Sequence, residues 1–327
     1  MISENGFDIR PDICYNMSRY DLKKLEELYE VISMAKTAVM TDSNSGITQN
    51  EAKELGIRVI PMPFTIDGEE YLEDITLTQE QFYEKLTADA DVSTSQPSIG
   101  FVTSVWDEVL EEYDDIVYIP MSSGLSESCH SALTAAHAGY EGRVFVVDNQ
   151  RISVTQRQSV LDAMELVARG YTAKEVHDKL MEVKMQSDIY IMLDTLKYLK
   201  KGGRITPAAA AVGSLLKIKP ILTIKGEKLD KFRMMNRTLQ NAKRIMLDAC
   251  KESIEGFLKD IDGRTDNVHL EVAYTGVDTT EAMNFIKMIQ EEFPGQEVVC
   301  NPLSLSVSCH IGTGALAMAI SKAIPEE

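Results

Sequence analysis

Three short stretches concentrate small, uncharged hydrogen-bonding side chains in a sequence that is otherwise rich in charge. They are residues 94–98 (Thr-Ser-Gln-Pro-Ser), 122–126 (Ser-Ser-Gly-Leu-Ser) and 308–314 (Ser-Cys-His-Ile-Gly-Thr-Gly). Hydroxyl groups and free backbone N–H groups at strand ends and helix starts bind an anion without a buried positive charge. Because Ser and Thr are also the preferred N-caps of helices, helix capping is the alternative interpretation of each stretch. The three stretches together predict one site for an anionic head group.

The third stretch places His310 two residues before Gly312. Glycines let a backbone approach a ligand closely, and we predict that Gly314 opens a helix over residues 314–324, whose N-terminal end favours negative charge. His310 is therefore expected to donate a hydrogen bond to a carboxylate, although a loop histidine is also typical of a purely structural position. The sequence contains no Walker motif and no HExxH motif, so these residues do not predict a nucleotide or zinc-peptidase site.

The composition argues against several classes of partner. The 327 residues include 33 Lys and Arg against 51 Asp and Glu, and the net charge of −18 repels nucleic acid phosphates and anionic membrane surfaces. The five cysteines form no CxxC or CxxH pair, which is typical of reduced thiols and does not indicate a zinc site. No signal-peptide pattern and no membrane-spanning apolar run is evident. We expect a cytoplasmic protein without metal, cofactor, nucleic acid partner or stable membrane insertion.

Strands that alternate with helices from residue 37 onward predict an α/β fold of two domains. Residues 37–186 are predicted to form a domain around a parallel sheet, and residues 187–327 a second, mixed α/β domain. Residues 1–36 are predicted to be an extension with one helix over residues 19–34. An Ala-rich helix is expected over residues 207–216.

Two polar positions follow predicted strands of the parallel sheet. Asp42 ends the first strand, and Ser122 comes directly after the strand over residues 116–119. In sheets of this kind, ligands bind outside the carboxyl ends of the strands. We therefore expect the head-group site at this edge of the sheet.

Seven motifs, taken in their order along the chain, resemble the DegV family, whose members include the fatty-acid-binding subunits of bacterial fatty-acid kinase. The resemblance extends over about residues 37–324, and its specificity comes from the order of the motifs, since each one alone is short. The motifs are Thr41-Asp42-Ser43, Thr94-Ser95-Gln96-Pro97-Ser98, Ser122-Ser123-Gly124-Leu125-Ser126, Val146-Val147-Asp148, Leu199-Lys200-Lys201-Gly202-Gly203-Arg204-Ile205, Lys219-Pro220-Ile221-Leu222 and His310-Ile311-Gly312-Thr313-Gly314.

The resemblance implies a non-catalytic carrier that buries a long acyl chain in an apolar tunnel. A separate ATP-dependent kinase would phosphorylate the bound acid to an acyl phosphate, and Arg204 lies in the region that the family presents to this kinase. The residues that the resemblance assigns to the carboxylate are Thr94, Ser95, Ser122, Ser123 and His310. We add four supporting positions: Asp42, Ser126, Gly312 and Gly314.

The chain departs from the family pattern where Ser126-Glu127-Ser128 replaces a usual Ser-Gly-Thr. The carboxylate of Glu127 would repel an anionic head group unless its side chain points away from the site. This departure leaves the identity of the ligand open.

Two alternative functions compete with the carrier. The first is a Ser/His acyl hydrolase or acyltransferase that uses Ser122, Ser123 or Ser126 together with His310. Its support is incomplete, because Ser128 occupies the second glycine position of a GxSxG motif and no motif places an acidic residue beside the histidine. The second alternative is an interaction protein with a vestigial pocket.

Overall fold

The protein is described by a computed structural model over residues 36–211, 218–233, 238–256 and 267–324. The helix predicted over residues 19–34 lies outside the described residues. The elements of the first half are β1 (Thr37–Asp42), α1 (Gln49–Leu55), β2 (Arg58–Ile60), β3 (Pro63–Ile66), β4 (Glu69–Leu72), α2 (Gln79–Thr87), β5 (Val92–Thr94), α3 (Ile99–Val109), β6 (Asp115–Ile119), α4 (Ser128–Gly139), β7 (Val144–Val146), α5 (Val154–Ala168) and α6 (Ala173–Glu182).

The second half begins immediately after α6. Its elements are β8 (Ser187–Met192), α7 (Lys197–Gly202), α8 (Pro207–Ala210), β9 (Ile221–Ile224), β10 (Asp230–Arg233), α9 (Leu239–Gly256), β11 (Val268–Tyr274), α10 (Thr280–Glu292), β12 (Val298–Pro302), α11 (Leu305–Ile311) and β13 (Leu316–Lys322). The predicted domain boundary at residue 186 falls in the short connection between α6 and β8.

The first half is built on a parallel sheet, as the alternation of strands and helices predicts. Its strand order is β2-β1-β6-β7, and every pair in it is parallel. Val39 points to the face that α5 and α6 cover, whereas Met40 points to the face that α3 and α4 cover. Burial on both faces accounts for the continuous apolar runs in these strands.

A small antiparallel sheet of order β4-β3-β5 stands beside the parallel one and packs against α2. A capping box starts α2, in which Thr78 and Gln81 exchange side-chain and backbone hydrogen bonds. The strand β5 ends at Thr94, so this sheet determines the position of the 94–98 stretch.

The second half contains a six-stranded mixed sheet of order β10-β9-β8-β13-β11-β12. The helices α9 and α10 cover one face of this sheet. That face carries large side chains, among them Leu316, Met318 and Ile320 of β13. The opposite face carries Ala317 and Ala319 of the same strand. The central strand is therefore bulky on one side and narrow on the other.

The predicted helix over residues 314–324 is wrong, because residues 316–322 form the strand β13. This segment alternates small and large apolar residues with period two, and β8 and β11 pair with it on either side. Its Ala, Leu and Met residues are good helix formers, and tertiary pairing overrides that preference. His310 lies in α11, one residue before its end, and not in a loop that opens a helix.

Of the predicted helix over residues 207–216, the structure describes α8 up to Ala210, and the positions from 212 onward lie outside the described residues.

Glu73 connects three parts of the fold through one buried carboxyl group. Its Oε2 accepts a hydrogen bond of 3.0 Å from Ser43 Oγ, directly after β1, and its Oε1 accepts one from the backbone N–H of Leu305. Leu305 is the first residue of α11, the helix that carries His310. Burial raises the pKa of Glu73 to about 8, so the group is largely protonated at neutral pH.

We expect the stability of the Glu73→Gln variant, relative to that of the wild type, to increase as the pH rises. Folding raises the pKa from 4.5 to about 8, so the stabilisation from the protonated form is complete below pH 4.5 and is lost as the pH approaches 8. The wild-type unfolding free energy should therefore fall relative to the variant by up to about 1.4 kcal/mol per pH unit in this window. Urea unfolding at several pH values measures it, with the exposed Glu70→Gln as control. A constant difference across the window would contradict the expectation.

Candidate functional site

An apolar cavity of about 320 Å³ lies between the narrow face of the mixed sheet and the loops of the first half. A volume of this size is within the range of small-molecule sites. The apolar residues that line it are Met62, Met121, Leu125, Ile152, Val154, Ile189, Ile191, Leu199, Ile224, Leu229, Ala273, Leu303, Val307, Ile311 and Ala317.

Small side chains on adjacent strands create the space. Ala317 of β13 pairs with Ala273 of β11 on one side and with Ile191 of β8 on the other, and all three line the cavity. Side chains at paired positions point to the same face of a sheet, so two neighbouring alanines leave a depression there. The alternation of residue sizes along β13 is the sequence signal for this depression.

At one end of the cavity, polar residues from four separate segments form the lining. Thr94 ends β5 and Ser95 and Gln96 follow it, and Ser126 and Glu127 lie between β6 and α4. Arg204 follows α7, and His310 comes from α11. Ser95, Gln96 and Glu127 are exposed to solvent, so this polar end is the mouth of the cavity. The structure thus brings Thr94, Ser95, Ser126 and His310 together, as the sequence predicts.

His310 is held in a fixed orientation at the mouth. Its Nε2 lies 2.8 Å from Thr94 Oγ1, and the Nδ1 side of its ring packs against Gly202, where a Cβ atom would collide with it. Burial, together with the nearby charge of Arg204, lowers the pKa of His310 to about 4. The imidazole is therefore neutral at physiological pH and exchanges a neutral hydrogen bond with Thr94.

Arg204 contributes a guanidinium group to the wall of the cavity. Its Nη1 donates a hydrogen bond of 2.6 Å to the carbonyl of Gly202, and its Nε donates one of 3.3 Å to the carbonyl of Leu125. Among the described residues that line the cavity, it is the one with a positive charge. The predicted contact of Arg204 with a partner protein stays a prediction, and its half-buried position beside His310 suits an anion in the cavity.

Ser122 and Ser123 do not line the cavity, in contrast to their predicted role. The hydroxyl of Ser122 donates to the carbonyl of Gly226 in the other half of the chain, and that of Ser123 donates to Asp148 Oδ2 at 2.8 Å. These bonds fix the loop that carries Ser126. Both hydroxyls are therefore used to hold the loop, and their Ser-rich neighbourhood alone could not distinguish that role from ligand binding.

Asp42 is also a structural anchor in the described fold. Its carboxylate is buried and accepts hydrogen bonds from the backbone N–H of Met121 at 2.8 Å, from Asn44 and from Gln156. Burial raises the pKa of Asp42, and these hydrogen bonds oppose the increase. The group orients the ends of β1 and β6 and does not line the cavity.

The two glycines of the third stretch, Gly312 and Gly314, follow α11 in the chain and do not line the cavity. Gly312 packs against the ring of Tyr198, and Gly314 packs against Asp194, both with positive φ angles. Side chains at these positions would collide with those neighbours. The glycines therefore serve the turn between α11 and β13, and neither of them is among the residues that line the cavity.

Glu127 directs its carboxylate to solvent. The side chain is 82% exposed and lies 3.4 Å from His130 Nδ1, one turn further along α4. Its charge is therefore screened by water, and the residue is compatible with an anion inside the cavity.

Sequence reasoning missed three polar residues that line the cavity: Asn44, Ser153 and Ser306. Ser306 Oγ donates to Asn44 Oδ1 at 2.7 Å, and Ser306 lies one helical turn before His310 on the same face of α11. Ser153 has a φ of 57° and is held by its backbone N–H, which donates to the carbonyl of Asn44 at 3.1 Å. The spacing of four residues between Ser306 and His310 is the signal that a helical interpretation would have used.

A Ser–His–acid triad is not assembled among the described residues. The hydrogen-bonding partner of His310 is Thr94, and the Nδ1 side, where an orienting carboxylate would bind, faces Gly202. The hydroxyls of Ser122, Ser123 and Ser126 have other partners.

In the described part of the chain, no helix is both long enough and apolar enough to cross a membrane.

Comparison with known proteins finds one family along most of the chain. The family model described as "Uncharacterised protein, DegV family" matches residues 36–323. A DegV domain-containing protein of Staphylococcus aureus is 32% identical over 290 residues, which cover 86% of this chain and 96% of that protein.

Two solved structures share the fold. A DegV family protein from Thermus thermophilus, described by its fatty acid binding, superposes with a TM-score of 0.78 and 28% identity, and the match covers 88% of this chain and 99% of that one. DegV from Bacillus subtilis, described as a fatty acid binding protein, has a TM-score of 0.76, the same identity and the same coverage. The predicted α/β fold, with a parallel sheet in the first half and a mixed sheet in the second, is thereby confirmed.

We expect the imidazole of His310 to remain neutral at pH 5.5, since burial opposes its protonation. In NMR titrations its pKa should lie near 4, and Arg204→Ala should raise it, although burial will keep it below 6.5. The signal is assigned by its loss in His310→Gln, and the exposed, distant Arg58→Ala serves as the control. A wild-type His310 that titrates near 6.5 would show that the ring is not enclosed as described.

Proposed function

The chain belongs to the DegV family, and from this premise we propose that it is a carrier that binds one long-chain fatty acid and presents its carboxylate to a separate kinase. The acyl chain occupies the apolar cavity. The carboxylate lies at the mouth, where Thr94, Ser95, Ser126 and His310 offer hydrogen bonds and Arg204 offers a positive charge.

The observation that carries this proposal is one cavity with an apolar interior and a mouth of hydroxyl, imidazole and guanidinium groups. A fatty acid has the same division into an apolar chain and an anionic end. The fatty acid binding of the Thermus thermophilus and Bacillus subtilis relatives supports the same ligand class.

The two parts of the ligand contribute unequally to affinity. Burial of about fourteen methylene groups gains roughly 11 kcal/mol at about 0.8 kcal/mol each. A neutral hydrogen bond contributes only about 1 kcal/mol net. The cavity therefore supplies most of the affinity, and the residues at the mouth orient the carboxylate.

The exposed mouth suits transfer of a phosphoryl group by a partner. A carboxylate oxygen attacks the γ-phosphorus of ATP in the active site of the kinase, ADP leaves, and the product is an acyl phosphate. The carrier then needs neither a nucleotide site nor a catalytic residue of its own. We propose that this exchange takes place in the cytoplasm, consistent with cysteines that show no pairing pattern.

The function is tested by identification of the ligand that co-purifies with the protein. Native mass spectrometry, followed by organic extraction, should yield one long-chain fatty acid per chain. A protein that neither carries a fatty acid nor binds one when it is added would overturn the proposal. Hydrolysis of p-nitrophenyl esters that disappears in His310→Gln would instead support the hydrolase alternative.

Ser95→Ala should separate orientation from affinity. The loss of one hydrogen bond should weaken fatty acid binding about fivefold, whereas the misplaced carboxylate should reduce acyl phosphate formation by a larger factor. Fluorescent fatty acid displacement measures the first quantity and turnover with the kinase subunit the second.

The matched control is Ser93→Ala, two residues earlier in β5, where the hydroxyl contacts Thr65 at 2.7 Å and does not line the cavity. Equal binding and equal turnover of wild type and Ser95→Ala would show that this hydroxyl does not orient the carboxylate.

A further inference from the structure

A buried polar cluster lies on the same face of the mixed sheet as the cavity. We call Arg151, Asp162, His269 and Glu271 the floor cluster. His269 Nε2 lies 3.6 Å from Asp162 Oδ1. Burial raises the pKa of Asp162 to about 6 and that of Glu271 to about 8, and the nearby charge of Arg151 opposes both increases. The two halves of the chain each supply part of the cluster, and neither the head-group site nor the mouth uses it.

The sheet changes from apolar to polar in the direction of this cluster. Three successive rows of paired residues cross β8, β13 and β11 on the cavity face. They are Ile191, Ala317 and Ala273 in the first row, Ile189, Ala319 and Glu271 in the second, and Ser187, Ser321 and His269 in the third. The first row and Ile189 line the cavity, and the remaining positions do not.

The wall of the cavity opposite the sheet also changes from apolar to polar in the direction of the floor cluster. Val154, at the start of α5, lines the cavity, and Gln158 and Asp162 follow at intervals of one helical turn on the same face. Gln158 Nε2 donates to Asp162 Oδ1 at 2.8 Å, so this side of the helix is polar beyond Val154. Both walls of the cavity therefore end in the floor cluster.

We infer that the floor cluster closes the inner end of the acyl tunnel and sets the longest fatty acid that the protein binds, an inference that rests on the proposed fatty acid binding. An acyl carbon forms no hydrogen bond. A chain that reached the cluster would move the buried charges of Arg151 and Asp162 apart and break the hydrogen bonds of Arg151 to Ser159 and to the carbonyl of Val183. The polar layer therefore disfavours the methyl end of a fatty acid more strongly than an apolar wall would, because apolar side chains can rearrange to make room for it.

Burial strengthens the limit that the cluster sets. Arg151 and Glu271 are each 1% exposed, so water cannot replace a displaced partner. Several of the polar atoms, including Arg151 Nε, Asp162 Oδ2 and Glu271 Oε2, already have no hydrogen-bond partner. The hydrogen bonding of the cluster is therefore already incomplete, and an intruding acyl chain would leave further buried polar atoms without partners.

The test is the affinity of the full-length protein for saturated fatty acids of increasing length, from ten to twenty-two carbons. Each methylene group that fits the tunnel should raise affinity about fourfold, the equivalent of about 0.8 kcal/mol. The increase should stop at one length and reverse for longer chains. We call this length the break point.

Two variants should move the break point to longer chains. Ile189→Ala removes three carbons from the last apolar position before the cluster, and Glu271→Ala opens the floor itself and leaves the charges of Arg151 and Asp162 in place. Each should extend the break point by about two methylene groups. The control is Met318→Ala, a similar truncation of β13 that faces α9 and α10, and it should leave the break point unchanged.

The outcomes separate this inference from the proposed function. If wild type binds fatty acids but shows no break point, or if neither Ile189→Ala nor Glu271→Ala moves it, the floor cluster does not limit the chain. An equal displacement in Met318→Ala would also overturn the inference, because the effect would then come from general loosening. If wild type binds no fatty acid of any length, the proposed function itself fails.

Discussion

The structure depends on one constraint, which is that the central strand β13 must be bulky on one face and narrow on the other. Leu316, Met318 and Ile320 fill the core beneath α9 and α10, whereas Ala317 leaves space on the opposite face. The residues that line this cavity of about 320 Å³ lack the packing contacts that a filled core would give them, which is a cost to stability. The bulky face and the parallel sheet of the first half must supply the stability that offsets this cost.

The mouth of the cavity is assembled from parts that are remote in the sequence, and buried polar groups determine how they meet. Asp42 orients the ends of β1 and β6, and Glu73 joins the segment after β1 to the start of α11. Ser122 bonds the loop before α4 to the turn at Gly226. These contacts do not touch the cavity, but they decide where Thr94 and His310 are placed. A neutral, oriented His310 is the result of this scaffold.

The sequence predicted the parts of the fold that local patterns control. The parallel sheet and the position of Asp42 at the end of its first strand follow from periodicity within short windows. The role of Ser122 could not be predicted, because its partner Gly226 lies 104 residues further along the chain. The strand β13 was missed for a different reason: its residues favour a helix intrinsically, and only pairing with β8 and β11 makes it a strand.

The cavity also links ligand binding to folding. Under the proposed function, burial of about fourteen methylene groups of an acyl chain gains roughly 11 kcal/mol. A ligand that binds only the folded chain stabilises it by mass action. Under this proposal, the acyl chain fills the space beside Ala317 that no side chain of β13 occupies, and it packs there as a core side chain would. The alternation of alanines with large residues along one strand is then at once a packing pattern and the physical basis of ligand affinity.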